Sequence, residues 1–237
     1  MTEQTFEATL YAPLFYSSSE GRAIKTQPTL SATALMHALG YRYFGLEKRY
    51  AEFGDDATQP DYSHLADFPF FVTDMRPIAV ETDERTFRST DYRSERHFTT
   101  NDLELARQVE GTKSVPEILE NSGAAYQTIR NYLGIAPGST FEFTVWHREN
   151  LTELPESPFF KMGIKQTGEF RAAATDLDTL VLNKYLLTEV YELDTDLLTG
   201  LMEHSTSFRR GNDPRLQHFV DPDPEFVRTE VIPEVLG

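Results

Sequence analysis

The sequence predicts an α+β fold with a mainly antiparallel sheet, and three observations carry that prediction. Thr5–Ala12 and Phe141–Val145 alternate apolar and polar residues with the period of a half-buried strand. Leu35, Met36, Leu39 and Tyr43 recur at helical spacing, with Ala32, Ala34 and Ala38 beside them. Strand and helix patterns then intermingle without the regular βαβ spacing of a doubly wound parallel sheet. The 237 residues are ample to bury a core. They are read as one domain, residues 1–237, with an insertion at 82–134 and an acidic extension at 205–237.

The first strand puts Phe6, Ala8, Leu10 and Ala12 on one side, and Pro13 ends it. Phe15–Tyr16 follow, then a hydroxyl-rich loop, Ser17–Arg22. Pro28 and Ser31 stand where a helix can begin, and Gly40 or Gly45 would end it. After a polar connection at Gly54–Ser63, Phe70–Thr73 and Ile78–Val80 read as strand pieces separated by Pro77. Thr82–Thr100 is polar with isolated aromatics, which suits a long basic hairpin or loop leaving the core. Asp102–Gly134 has helical periodicity broken by Gly111, Pro116 and Gly123, and is read as short inserted helices. Ala136–Ser139 is a turn. Phe159–Ala174 mixes Phe, Lys and Gly, Leu180–Thr188 reads as a last strand, and Asp196–His204 as a short helix before a Pro-rich acidic finish.

The formal charge is −16, and the basic residues are 16 Arg against 6 Lys. This is the balance of a halophilic solvation shell, which keeps a protein soluble in molar salt without describing a partner. Residues 176–237 alone carry a net −8. The contrast lies at Arg85–Arg96, where Arg85, Arg88, Arg93 and Arg96 face only Asp91 and Glu95, with Phe87 and Tyr92 between them. Guanidinium planes and rings stack on unpaired bases while the charge meets phosphate, so this mixture suits single-stranded nucleic acid. In molar salt, where counterion release contributes little, the planar Arg fork serves better than Lys.

With no Cys, disulfides, a thiol nucleophile and a Cys-ligated zinc are excluded. The motifs of phosphate-cradling loops, nucleophile elbows and zinc peptidases are missing. The six His residues show no metal-ligand spacing, and the His64–Asp67 pair alone is no site. No cofactor and no metal are expected. A metal-independent ribonuclease stays chemically open, because a His or Tyr plus a Lys can deprotonate a 2′-hydroxyl and stabilise the phosphorane charge; His97 and His37 are its candidates. A protein-binding adaptor acting through the acidic C-terminal face is a third class. No stretch approaches the roughly 20 apolar residues that a bilayer crossing needs, and Met1–Leu10 lack a signal pattern. A cytoplasmic location without membrane association is expected.

A set of short motifs occurs in a telling order: Ser17-Ser-Ser-Glu-Gly-Arg22, Thr26-x-Pro28, Ala34–Leu35, Ala38-Leu-Gly-Tyr41, Val72–Thr73 with Arg76–Pro77, Ala136-Pro-Gly-Ser139 with Phe141, and Lys161-Met-Gly163. Over roughly residues 5–172 this order resembles the handle-capping subunit (Cas-five-type, Csc-one group) of type I-D CRISPR surveillance complexes. The resemblance implies a ferredoxin-like, RNA-recognition-type core that holds the 5′ handle of a CRISPR RNA without cutting it. It implies the large subunit and the neighbouring backbone subunit as partners, with target DNA met through the assembled complex. Where the family pattern has Lys directly after the late-strand Gly, Ile164 follows Gly163 here, and Lys161 and Lys165 flank it. Hydroxyls running into a helix start are a natural seat for phosphate. The expected RNA contacts are therefore Ser17, Ser18, Ser19 and Arg22 with Lys25 nearby, the island residues Arg85, Arg88, Tyr92, Arg93 and Arg96, and the late-strand Lys161 and Lys165. An endoribonuclease maturing the CRISPR RNA is the alternative.

Overall fold

The structure is a computed structural model that describes residues 1–15, 23–45, 52–53, 60–88, 129–149, 151, 153–163, 166–211 and 214–237. Among these the strands are, in chain order, β1 (Thr2–Leu10), β2 (Ala23–Lys25), β3 (Glu52–Phe53), β4 (Pro60–Asp61), β5 (Phe70–Val72), β6 (Arg76–Ala79), β7 (Thr82–Arg88), β8 (Ile129–Ile135), β9 (Thr140–His147), β10 (Phe159–Met162), β11 (Gly168–Ala174), β12 (Val181–Asn183), β13 (Ser205–Arg209) and β14 (His218–Pro222). The longer helices are α1 (Ala32–Tyr43) and α2 (Thr195–Glu203). The fold is α+β with mostly antiparallel sheets. Among the described residues no helix is long and apolar enough to cross a membrane.

A six-stranded sheet runs β10-β11-β1-β9-β5, with β6 also paired to β9, antiparallel throughout. The alternation of β1 sets its faces: Phe6, Ala8 and Leu10 are buried and Glu7 is exposed. Phe143, opposite Phe6, stacks on it at 5.4 Å between centroids, and Phe160 stacks on Phe170 at 5.2 Å. Burying each of these rings stabilises the fold by about 2–3 kcal/mol, and together they make the inner face aromatic.

Helix α1 packs on that inner face through Leu35, Met36 and Leu39. Ser31 caps it, with Oγ accepting from Thr33 N, and Gly45 (φ +65°) follows the capping Phe44, so the expected boundaries hold. Phe44 stacks on Phe70 at 4.4 Å. The Tyr43 hydroxyl accepts from Phe159 N and donates to Phe159 O, which closes part of the free edge of β10.

The opposite, outer face is covered over only half its width. Trp146 and Phe71 lie there, buried, with the Tyr191 ring against Phe71 at 5.6 Å. The cover comes from the antiparallel sheet β12-β14-β13, from α2, and from a helical segment, residues 224–236. Within 205–237, the segment expected as an acidic extension, Phe219, Val227, Val231, Ile232, Val235 and Leu236 are buried in the same core as β1 and β9, while Asp223, Glu225, Glu230 and Glu234 are exposed.

Three expectations change. The strand read at Leu180–Thr188 is cut to Val181–Asn183, because Asn183 Oδ1 accepts from Leu186 N and starts a helical turn that buries Leu186, Leu187 and Val190. It is also not the last strand, since β13 and β14 follow. Residues 129–134, read as part of inserted helices, belong to strand β8; the rest of that helical reading lies outside the described residues. Pro77 sits inside β6 rather than between strands, and the pairing with β9 slips a residue there, where the missing N–H cannot join the ladder.

Candidate nucleic-acid interface

A separate three-stranded ribbon is ordered β2-β8-β7, with β2 parallel and β7 antiparallel to β8. Its register pairs Lys25 with Leu133, Arg85 with Tyr132, Phe87 with Arg130 and Arg88 with Ile129. Strand alternation puts positions 85 and 87, with partners 132 and 130, on one face. Positions 88 and 25 share the other. Two of the expected island residues thus stand on one ribbon with Lys25. Two residues missed in the sequence, Arg130 and Tyr132, stand at the positions paired with Phe87 and Arg85. Their place comes from the pairing of β8 with β7, which lies more than forty positions earlier in the chain. Tyr92, Arg93 and Arg96 lie outside the described residues.

The ribbon returns to the main sheet through the Ala136–Ser139 turn. Pro137 and Gly138 (φ +91°) take its corners, and Ser139 Oγ donates to Ala136 O at 2.8 Å. Gly138 N and Leu10 N reach Leu10 O and Ser139 O at 2.7 and 2.9 Å, which pins the turn to the end of β1.

The hydroxyl loop departs from this same place. Leu14 and Ile135 exchange backbone hydrogen bonds at 2.9 and 3.0 Å, and Thr26 N donates to Leu133 O at 2.8 Å. The chain therefore leaves β8 just before the loop and rejoins it along β2. Three glycines crowd Leu14–Phe15. A β-carbon at Gly134 would lie 2.6 Å from Leu14 O; one at Gly163 (φ +87°) would lie 2.5 Å from Leu14 Cδ1 and 2.8 Å from Phe15 O; one at Gly168 would lie 2.5 Å from Leu14 Cδ1. Only glycine permits this approach. The turn after the late strand and the approach to the hydroxyl loop are consequently in contact. Ser17, Ser18, Ser19, Arg22 and Lys165 lie outside the described residues.

Lys161 lies on the exposed face of β10, its Nζ 2.5 Å from Glu169 Oε1 and 5.9 Å from the Phe159 ring centre. The phosphate seat expected where the hydroxyl loop meets a helix is not formed. Strand β2 intervenes between loop and helix, and Ala32 N at the start of α1 donates to the buried Asp74 Oδ1 at 2.6 Å, so a carboxylate already fills that place.

His37, one of the two candidate bases, is engaged within the fold. Its Nδ1 lies 2.7 Å from Thr33 O and its Nε2 2.9 Å from His64 Nε2. Burial lowers its pKa, the Thr33 carbonyl raises it and His64 lowers it further, leaving it below the ordinary value. His97 lies outside the described residues. Among the described residues no three His, Asp or Glu side chains converge as metal ligands.

No curated protein matches the chain. A family model does: "Type I-D CRISPR-associated protein Cas5/Csc1" matches residues 1–197, which take in β1, α1, the ribbon, the turn at 136–139 and the late strands. The chain belongs to the type I-D CRISPR-associated Cas5/Csc1 family.

Proposed function

We propose that this chain is the CRISPR RNA-binding subunit of a type I-D Cascade, holding the 5′ handle without cutting it and joining the large subunit to the backbone subunit. Target DNA is then met through the assembled complex, in a cytoplasm of high salt. The observation that carries the reading is the junction at Leu14–Phe15, where the approach to the hydroxyl loop, the base of the Arg–aromatic ribbon and the late-strand turn meet. An extended strand of RNA is held best by such a set, hydroxyls and guanidinium groups for phosphates and rings for splayed bases. The order β11-β1-β9-β5 with α1 on one face supports a ferredoxin-like core, in which these strands take the fourth, first, third and second places. The engagement of His37 with His64 and Thr33 favours a binding role over base catalysis there.

The test uses the full chain and labelled handle RNA in fluorescence anisotropy. Arg85→Glu with Arg130→Glu is expected to weaken binding by at least tenfold, and the RNA is expected to stay intact with EDTA and with magnesium. Handle binding unchanged in the double variant overturns the ribbon assignment; specific cleavage, lost in His97→Ala, overturns the non-catalytic role.

A further inference from the structure

On the outer face of the main sheet, Glu142, Thr144 and Trp146 of β9 are buried beneath the C-terminal elements. Toward β10 the same face is open. The register places Phe159 opposite Arg171, Arg171 opposite Thr9, and Lys161 opposite Glu169. Tyr11, whose N–H donates to Glu169 O at 2.7 Å, extends this row by one position past the end of β1. Tyr11 is 61 % exposed, and the Arg171 guanidinium carbon lies 5.8 Å from its ring centre. Five neighbouring positions thus hold two rings, two cations and one carboxylate, and Glu169 fixes Lys161 beside the Phe159 ring. Glu7, exposed on the same face, lies one row away.

An exposed Tyr and Arg171 in cation–π contact have no part in the core, and a protein of net charge −16 has no need of cations for solubility. We infer that this open half-face is a stacking platform for an unpaired segment of single-stranded nucleic acid. Tyr11 stacks on a base, Phe159 borders the neighbouring one, and Arg171 and Lys161 meet the phosphates. Strands lie about 4.8 Å apart and residues about 3.4 Å along a strand, so the two ring-bearing positions, two strands across and two residues along, are separated by about 12 Å, a span suited to splayed bases rather than a stacked duplex. Two rings beside a net charge of only one positive unit favour this ligand over an acidic peptide, for which stacking rings have no use. The platform is on a different sheet from the ribbon and does not depend on the handle assignment. Its two natural sources are RNA and a displaced DNA strand.

The full chain is titrated with labelled oligouridine and oligothymidine ten-mers, and separately with handle RNA. Tyr11→Ala is expected to weaken ten-mer binding by at least about fivefold, the loss of one stacked base, and Tyr11→Phe to restore it. With two phosphates neutralised, the slope of log affinity against log salt should be shallow, about −1.4. Arg171→Ala should reduce that slope by about half. Tighter binding of uridine assigns the platform to RNA, and tighter binding of thymidine to DNA. Ten-mer affinity unchanged in Tyr11→Ala overturns the platform, as does a wild type that binds neither ten-mer. If either occurs while the Arg85→Glu/Arg130→Glu variant still loses handle RNA, the function proposed above survives. Loss of ten-mer binding in Tyr11→Ala with handle binding unaffected by the ribbon variant supports the platform and removes the ribbon.

Discussion

Arg228 clamps Glu3 with two parallel hydrogen bonds, Nε to Oε2 at 2.8 Å and Nη2 to Oε1 at 2.9 Å. Glu3 belongs to β1 and Arg228 to a segment beyond the family match at residues 1–197, so the clamp ties the C-terminal cover to the central strand. Trp146 Nε1 donates to the same carboxylate, and Arg228 Nη2 also donates to Asp178 Oδ1 at 2.6 Å.

This clamp predicts an acid-sensitive contribution to stability. Burial raises the Glu3 pKa, but the hydrogen bonds from Arg228 and Trp146 and the Arg228 charge lower it by more, and it ends below its ordinary value of 4.5. A carboxyl with a depressed folded-state pKa contributes stability that is complete above its unfolded pKa and lost as pH falls through the folded value. Arg228 is 36 % exposed, so solvent screening limits the pair. Arg228→Ala is expected to cost about 1 kcal/mol at neutral pH. In urea titrations the gap between wild type and variant should narrow progressively as pH drops below 4.5; a gap that does not vary with pH refutes the assignment.

A second tie runs through Asp74, which is fully buried. It accepts from Ala32 N at the start of α1, from Asn183 Nδ2, and lies 2.6 Å from His218 Nδ1 on β14. Asp74→Ala takes the partner from Ala32 N and His218 Nδ1 in the core, while Asn183 Nδ2 keeps Arg215 O at 3.0 Å, and a loss of about 3–5 kcal/mol is expected. Equilibrium unfolding measures it. A loss below about 1 kcal/mol would mean that the groups find other partners.

Much of this frame was legible in the sequence and some was not. Strand β1 and helix α1 announced themselves because each buries one side only, so polarity alternates with the period of the element, and β9, although buried on both faces, still alternates Phe141, Phe143 and Val145 with Glu142 and Thr144. The Pro137–Gly138 turn was legible from local backbone chemistry. Strand β8 was not: Ile129–Ile135 mixes Arg, Asn, Tyr and Gly, and its strand character comes from pairing with β7, more than forty positions earlier in the chain. Arg85 and Arg88 could be picked by composition, whereas Arg130 and Tyr132 needed that pairing. Tyr11 and Arg171 looked unrelated because they lie far apart in the chain and meet only across β1 and β11. The burial of Val227–Leu236 was hidden by the acidic residues interleaved with it.

The glycine junction gives a prediction that separates packing from charge. Gly163→Ala would place a β-carbon against Leu14 Cδ1 and Phe15 O in a left-handed backbone conformation. The φ value and the overlap together are expected to cost about 3 kcal/mol. Since Leu14–Phe15 lead directly into the hydroxyl loop, handle RNA binding should weaken in this variant although no charge has changed. Thermal unfolding and anisotropy on the same sample test both parts, and a destabilised variant with full affinity would detach the junction from the loop.

His37 carries the last prediction. It joins α1 to the 3₁₀ turn Ser63–Asp67, among the rings of Tyr62 and Phe68. With Nδ1–H donated to Thr33 O, the neutral ring can only accept at Nε2, so His64 must donate there. A proton on His37 puts two N–H groups face to face, and burial opposes the charge as well. A base with a depressed folded-state pKa binds its proton more readily when unfolded. Stability is therefore full above the ordinary value of 6.5 and declines as pH falls from there toward the folded value, below which this group has no further effect. Thermal unfolding of wild type should show this decline, and His37→Phe, which keeps the ring but cannot be protonated, should flatten it. Parallel pH profiles for the two proteins would mean that the His37–His64 contact does not couple proton binding to folding. His64→Phe is the companion variant: it removes the donor to His37 Nε2, and its neutral-pH stability should fall while the acid-side slope is reduced.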